Sequence, residues 1–226
     1  MRGTDHQQSQ MFSYLSPETR VVRPLLAVKV HRRIAGIIRR RGILAVLPLK
    51  TQTHASKTDP DAKLARKGKG KEGKLSYSGN LLVENRNGLI VNSEVFEANG
   101  TAERDAAPVM LEQLPGTKRV TAGGDKGFDT CDFVAECRNL QVTPHVAQNH
   151  ERRGGSAIDE CRTRHQAYRI SQIKRKRIEE CFGWLKTIAL LRKVRHRGIF
   201  KVDWVFSFAC AAYNLVRMRN LSRVAV

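Results

Sequence analysis

Two carboxylates in unlike surroundings are the residues of this chain best suited to chemistry. Asp125 follows the short run Val120-Thr121-Ala122 and two glycines, in Gly123-Gly124-Asp125-Lys126-Gly127-Phe128-Asp129. Glu179 lies in Arg175-Lys176-Arg177-Ile178-Glu179-Glu180-Cys181-Phe182-Gly183-Trp184-Leu185-Lys186, where apolar residues recur at helical spacing. One acid at a strand end and one on a helix, in a chain of net charge +20, predict a metal site facing a polyanion. Magnesium takes oxygen ligands, commonly one or two carboxylates with waters and substrate phosphates. That pattern points to phosphodiester chemistry on nucleic acid.

Each acid also has a plainer explanation. Gly-Gly-Asp-Lys-Gly is an ordinary turn, with the aspartate capping backbone amides. On a helix, Arg175 falls about 40° from Glu179 and Lys186 about 20°, the spacing of a surface ion pair worth a few tenths of a kcal/mol. Against that, the stripe borders the apolar residues Ile178 and Phe182, while Glu180 faces further round.

The elements that must position these residues are partly legible. With 226 residues and 41% hydrophobic content the chain can bury one core, with at most a small appendage. The excess of Lys and Arg drives sequence-independent binding to phosphates through counterion release. A ribosomal-type RNA binder has the same composition. Five cysteines without a Cys-x-x-Cys pair argue against a disulfide framework or zinc ribbon, and the histidines lack a His-x3-His spacing. Met1 to Ser16 holds no signal-peptide core, and the apolar stretch 202–216 is interrupted by Asp203, Ser207 and Asn214, so a cytoplasmic chain with no membrane span is expected.

Residues 1–52 differ from the rest: between Glu18 and Asp59 there is no acid, and 28–41 carries five arginines, so an irregular basic arm is expected. Residues 63–74 hold six basic residues and three glycines, composition expected of a flexible loop after an Asp59-Pro60-Asp61 turn. Asn85-Arg86-Asn87-Gly88 between runs 75–84 and 89–95 predicts a β-hairpin. A helix over 101–114, with a break at Pro108, precedes a strand over 119–122. A helix over 129–140, a strand over 142–147, a loop to 167, a long helix over 168–191 and an apolar helix over 202–218 complete the order. That order predicts an α/β fold with a mixed sheet.

Arg175-x3-Glu179-x6-Lys186 resembles half of the Tyr-Arg-Glu-Lys signature of bacterial insertion-sequence DDE transposases, with Gln172 where that family has tyrosine. Gly124-Asp125-Lys126-Gly127-Phe128-Asp129 is similar to that family's segment carrying the second catalytic aspartate. Arg192-Lys193-Val194-Arg195-His196-Arg197-Gly198 and Ala211-Ala212-Tyr213-Asn214-Leu215 resemble its C-terminal end, and residues 2–18 resemble its start. No Asp-Gly-Thr, the setting of the family's first catalytic aspartate, occurs here; Asp59 and Asp61 are the nearest acids.

The resemblance implies a ribonuclease-H-like, integrase-type mixed sheet flanked by helices over 53–226, lacking its first strand, behind an N-terminal remnant over 1–52. It implies Asp125 and Glu179 as catalytic metal ligands for Mg2+ or Mn2+. It also implies phosphate contacts from Arg175, Lys186, Gln172 and Lys126. Double-stranded DNA at element ends and target, a homodimer, and metal-dependent strand cleavage and transfer impaired by loss of the first aspartate follow from it. The rivals are a non-catalytic DNA-binding remnant that inhibits transposition and, more remotely, a nuclease acting on RNA–DNA hybrids. Basic residues from 63–74 and 162–197 are expected to bind DNA in either of the first two cases.

Overall fold

A computed structural model describes the backbone of residues 12–15 and residues 56–66, 72–115 and 120–224. The expected basic arm at 28–41 lies outside the described residues. The strands are β1 (Phe12–Leu15), β2 (Lys63–Arg66), β3 (Gly73–Glu84), β4 (Ile90–Glu97), β5 (Val120–Gly124) and β6 (Val142–Val146). The helices are α1 (Ala102–Glu112), α2 (Cys131–Asn139), α3 (Glu160–Thr163), α4 (Gln166–Lys174), α5 (Arg177–Thr187) and α6 (Ile199–Val224). The strands form one mixed sheet in the order β2-β3-β1-β5-β6, with β4 paired to β3.

Consecutive apolar residues in β3 feed two cores. Leu82 joins Ala106, Met110, Ala122, Phe133 and Val142, whereas Leu81 and Val83 join Ile178, Phe182, Phe206 and Tyr213. Because side chains alternate across a strand, this run must be covered on both faces. Helices α1 and α2 cover one face; α5 and α6 cover the other. Along β6, Val142 and Val146 enter the first core while the alternate residue His145 turns to Ser171 of α4.

The Asn-Gly hairpin forms as expected. Gly88 holds φ +73°, a conformation that disfavours any side chain, and the Glu84 carbonyl accepts from the Gly88 amide at 2.9 Å. Helix α6 locks onto the hairpin through polar residues inside an apolar sequence. Asn214 exchanges two 2.8 Å hydrogen bonds with the backbone N–H and C=O of Ile90, and Asp203 accepts from the Val95 amide at 3.0 Å. Gly79 lets α6 approach: a Cβ there would stand 3.0 Å from the Phe206 ring. By length and mean hydropathy (1.3 over its most apolar window) α6 could cross a membrane. One of its faces nevertheless forms the wall of the second core.

Three expectations need correction. Residues 63–66, read as loop, form β2 in antiparallel register with 73–76, the ladder supplying order that the side chains do not. Helix α1 runs unbroken through Pro108, whose buried ring offsets the lost amide bond. The helix expected over 168–191 is two, α4 and α5, divided at Arg175-Lys176 within four consecutive basic residues. In addition, β1 stands between β3 and β5, parallel to the first and antiparallel to the second.

Candidate functional site

Strand β5 ends at the buried Gly124, where a Cβ would meet the Phe128 side chain at 3.3 Å, so any larger residue would have to push that ring aside. Asp125 follows in extended conformation (φ −86°, ψ −176°), and its Oδ1 accepts from the Gly127 amide at 2.8 Å. The aspartate therefore does cap a 3-10 turn, Lys126–Phe128, as the plainer explanation supposed. It also lines an open groove of about 1050 Å³.

Asp129 holds the other side of that turn. Fully buried, its carboxylate accepts from the amides of Asn149 at 2.7 Å and Ala157 at 2.9 Å, and its carbonyl accepts from Arg152 at 2.6 Å. It fastens the 149–157 loop against the end of β5, a role the sequence did not announce.

Lys186, in the last turn of α5, lines the same groove, its Nζ 5.5 Å from the centre of the Phe182 ring. Arg66, Arg192, Lys193, Arg195 and His196 line the same space. Asp125 and Glu103 are the acids facing this basic rim. A groove of this character concentrates anions.

Glu179 sits on the exposed side of the first turn of α5. That turn is tied to the β3–β4 hairpin by Arg177, whose Nη1 donates to the carbonyls of Asn85 at 3.0 Å and Arg86 at 2.9 Å. Lys186 is two turns further on, about 10 Å along the axis. Arg175 and Gln172 form their own unit. Arg175 Nε donates to Gln172 Oε1 at 2.9 Å, and Gln172 Nε2 donates to the His145 carbonyl at 2.6 Å. Lys126 is exposed and opens onto a different cleft, of about 430 Å³, with Arg104 and Arg152. Of the six residues expected at the site, Asp125 and Lys186 therefore share the groove, and Lys126 faces a separate cleft.

His145 supports the Gln172 unit from beneath. The Ser171 hydroxyl donates to the Ala167 carbonyl at 3.0 Å, so its oxygen accepts from Nδ1–H of His145 at 2.7 Å. Burial first, then the positive charges of Arg162 and His165, lower its pKa to about 4.

Asp59 and Asp61, the nearest substitutes for a missing first acid, serve another purpose. Asp59 accepts from the Tyr77 hydroxyl at 2.6 Å and from the Gly198 amide at 3.3 Å, and Asp61 accepts from the Ile199 amide at 3.0 Å. Both carboxylates cap the N-terminus of α6, where backbone amides and the helix dipole favour negative charge. Burial, with the Asp59 carboxylate beside it, pushes the Tyr77 hydroxyl up to about 12. Among the described residues no group of three or more His, Cys, Asp or Glu stands together. All five cysteines are free thiols, and burial pushes those of Cys137 and Cys210 up to about 12, which makes them unreactive.

Tyr77, Gly79 and Arg66 escaped sequence reasoning. Only the β2–β3 ladder and the close passage of α6 bring them to the groove, and neither has a local sequence signal.

Residues 48–215 match the family model described as Transposase DDE domain. No curated protein and no solved structure matches the chain.

Proposed function

The chain belongs to the DDE-domain transposases, and from that premise we propose that it binds the DNA ends of an insertion sequence, with strand cleavage and transfer reduced or lost. The observation that carries this reading is the groove that Asp125 and Lys186 line together with Arg66, Arg192, Lys193 and Arg195. Phosphates of a duplex would lie along those basic side chains, with Lys186 as a point charge and Arg175, oriented by Gln172, as a forked donor. Lys126, Arg104 and Arg152 offer a second, smaller phosphate contact outside the groove.

In this reading residues 53–226 are a ribonuclease-H-like catalytic domain and 1–52 a remnant. The cofactor of such chemistry is Mg2+ or Mn2+, which polarises phosphate oxygens and activates the attacking hydroxyl. The described residues do not fit a complete two-ion centre. Asp125 caps its own turn, Glu179 is exposed at the start of α5, and Asp59 and Asp61 cap α6. These observations favour a DNA-binding remnant over an active recombinase. Such a remnant, pairing with a full-length copy, would inhibit transposition from the nucleoid-associated cytoplasm where that DNA lies.

The test is a nicking assay on terminal-repeat DNA with Mn2+, run beside a binding assay. Tight, salt-sensitive binding without nicking is expected. Robust nicking that vanishes in Glu179→Gln would overturn the inhibitor reading, and binding that ignores salt would overturn the groove as a DNA track.

A further inference from the structure

Helix α4 divides its side chains between two faces. Tyr168 donates to the Val146 carbonyl at 2.8 Å, Ser171 meets His145 Nδ1 at 2.7 Å, and Gln172 donates to the His145 carbonyl at 2.6 Å, all on the side of β6. At about 100° per residue these side chains span an arc of about 100°, and Gln166, Arg169, Ile170 and Ile173 fill an arc of similar width opposite them. All four are exposed, Ile173 by 72%. The bonds to β6 therefore fix which face looks outward, and that face carries a pair of isoleucines that neither core uses.

Positive charge surrounds this face. Residues 161–178 contain seven Lys or Arg and no acid. Arg164 before the helix and Lys176 after it are both exposed.

We infer that α4 enters the major groove of duplex DNA and reads base edges there, with Gln166 and Arg169 as hydrogen-bonding readers and Ile170 and Ile173 against thymine methyl groups. The dimensions agree. The major groove is about 12 Å wide and admits an α-helix. The 9 residues of α4 reach about 13 Å, or about four base pairs. The residue types agree as well. Arginine pairs with two acceptors of guanine, glutamine with a donor and an acceptor of adenine, and the thymine methyl is the apolar group in that groove. A face made only for phosphate needs cationic and polar groups and has no use for exposed isoleucine. Arg164 and Lys176 flank the helix, in position for the phosphates that wall the groove.

None of the four outward residues lines the groove of Asp125 and Lys186, so α4 is a separate contact. The inference rests on the DNA-binding reading above and adds what a phosphate track lacks, a means of choosing sequence.

The experiment selects duplexes bound by the full chain from a pool with a short randomised stretch, and sequences them. The native protein should enrich a site containing guanine, adenine and thymine. Gln166→Ala and Arg169→Ala should each relax the preference at one position by about fivefold or more, with thermal melts matching the native protein. Replacing thymine by uracil in the selected site removes only methyl groups. It should weaken native binding severalfold and leave the double variant Ile170→Ala, Ile173→Ala indifferent. Duplex RNA, whose major groove side chains cannot read, should show no preference. Duplex DNA bound with no enriched sequence, or the same site enriched by both polar variants, would overturn this inference and leave the phosphate track standing. So would a uracil effect shared by the isoleucine variant, or equal selectivity on duplex RNA. A native protein that binds no duplex at all would instead overturn the DNA-binding reading, and this inference with it.

Discussion

Arg175 is held by Gln172: its Nε donates to the amide oxygen at 2.9 Å, and the same amide's nitrogen donates to the carbonyl of His145 at 2.6 Å. Because His145 is in register with Gly123, two residues before Asp125, the guanidinium is fixed relative to the strand that ends at the groove. An arginine anchored through one nitrogen keeps its forked end for another acceptor.

Arg175→Ala and Lys186→Ala should each weaken DNA binding and lower the slope of log affinity against log salt by about one. Gln172→Ala should give a smaller loss with the slope unchanged, since it removes orientation and no charge. Titrations at several salt concentrations read both quantities. Slopes unaltered by either charge deletion would remove these residues from the phosphate track.

Acid should destabilise the protein through His145. Its folded pKa of about 4 lies below the ordinary 6.5, so between those values the unfolded chain binds a proton that the native chain refuses. The stability contributed is fully present above about pH 6.5 and is lost as pH falls toward 4, a change of order 1–3 kcal/mol. Thermal melts of native protein and His145→Gln should converge as the pH drops through that window. Parallel curves would show that His145 does not titrate there.

Asn214→Ala should cost about 2–3 kcal/mol, because it strips two hydrogen bonds and leaves the Ile90 N–H and C=O facing apolar neighbours. Urea unfolding measures this directly. A loss below about 0.5 kcal/mol would mean that the helix holds β4 by apolar packing alone.

Ser13→Pro should open the middle of the sheet, since proline cannot donate to a ladder flanked on both sides. Amide exchange at Leu82–Glu84 and Thr121–Gly123 should accelerate well before exchange in the β3–β4 hairpin. Uniform protection across all three segments would argue that β1 contributes no pairing.

What the sequence made legible is local. The Asn-Gly turn, the Gly-Gly-Asp bend and the apolar spacing of Ile178, Phe182 and Leu185 each carry their signal within a few residues, and all three formed. What escaped depends on distant partners. Lys63–Arg66 has the composition of a loop and is ordered by pairing with 73–76. Asp59 and Asp61 read as a turn until the helix beginning at Ile199 is brought to them. The second helix of the 166–187 pair starts anew where four bases in a row make an uninterrupted helix electrostatically costly. The site shows the same division. Asp125 and Lys186 could be picked out by motif, whereas Tyr77 and Arg66 reach the groove through strand pairing alone.

The bonds from Asp59 and Tyr77 to Gly198, and from Asp61 to Ile199, also close the chain into a ring, because they join its early part to the base of the last helix. The basic segment 192–197 is anchored on both sides, by α5 before it and by this clasp after it. A protease that cuts there would sever the polypeptide while leaving the last helix seated. The nicked protein should therefore migrate as one body until a denaturant releases its two fragments.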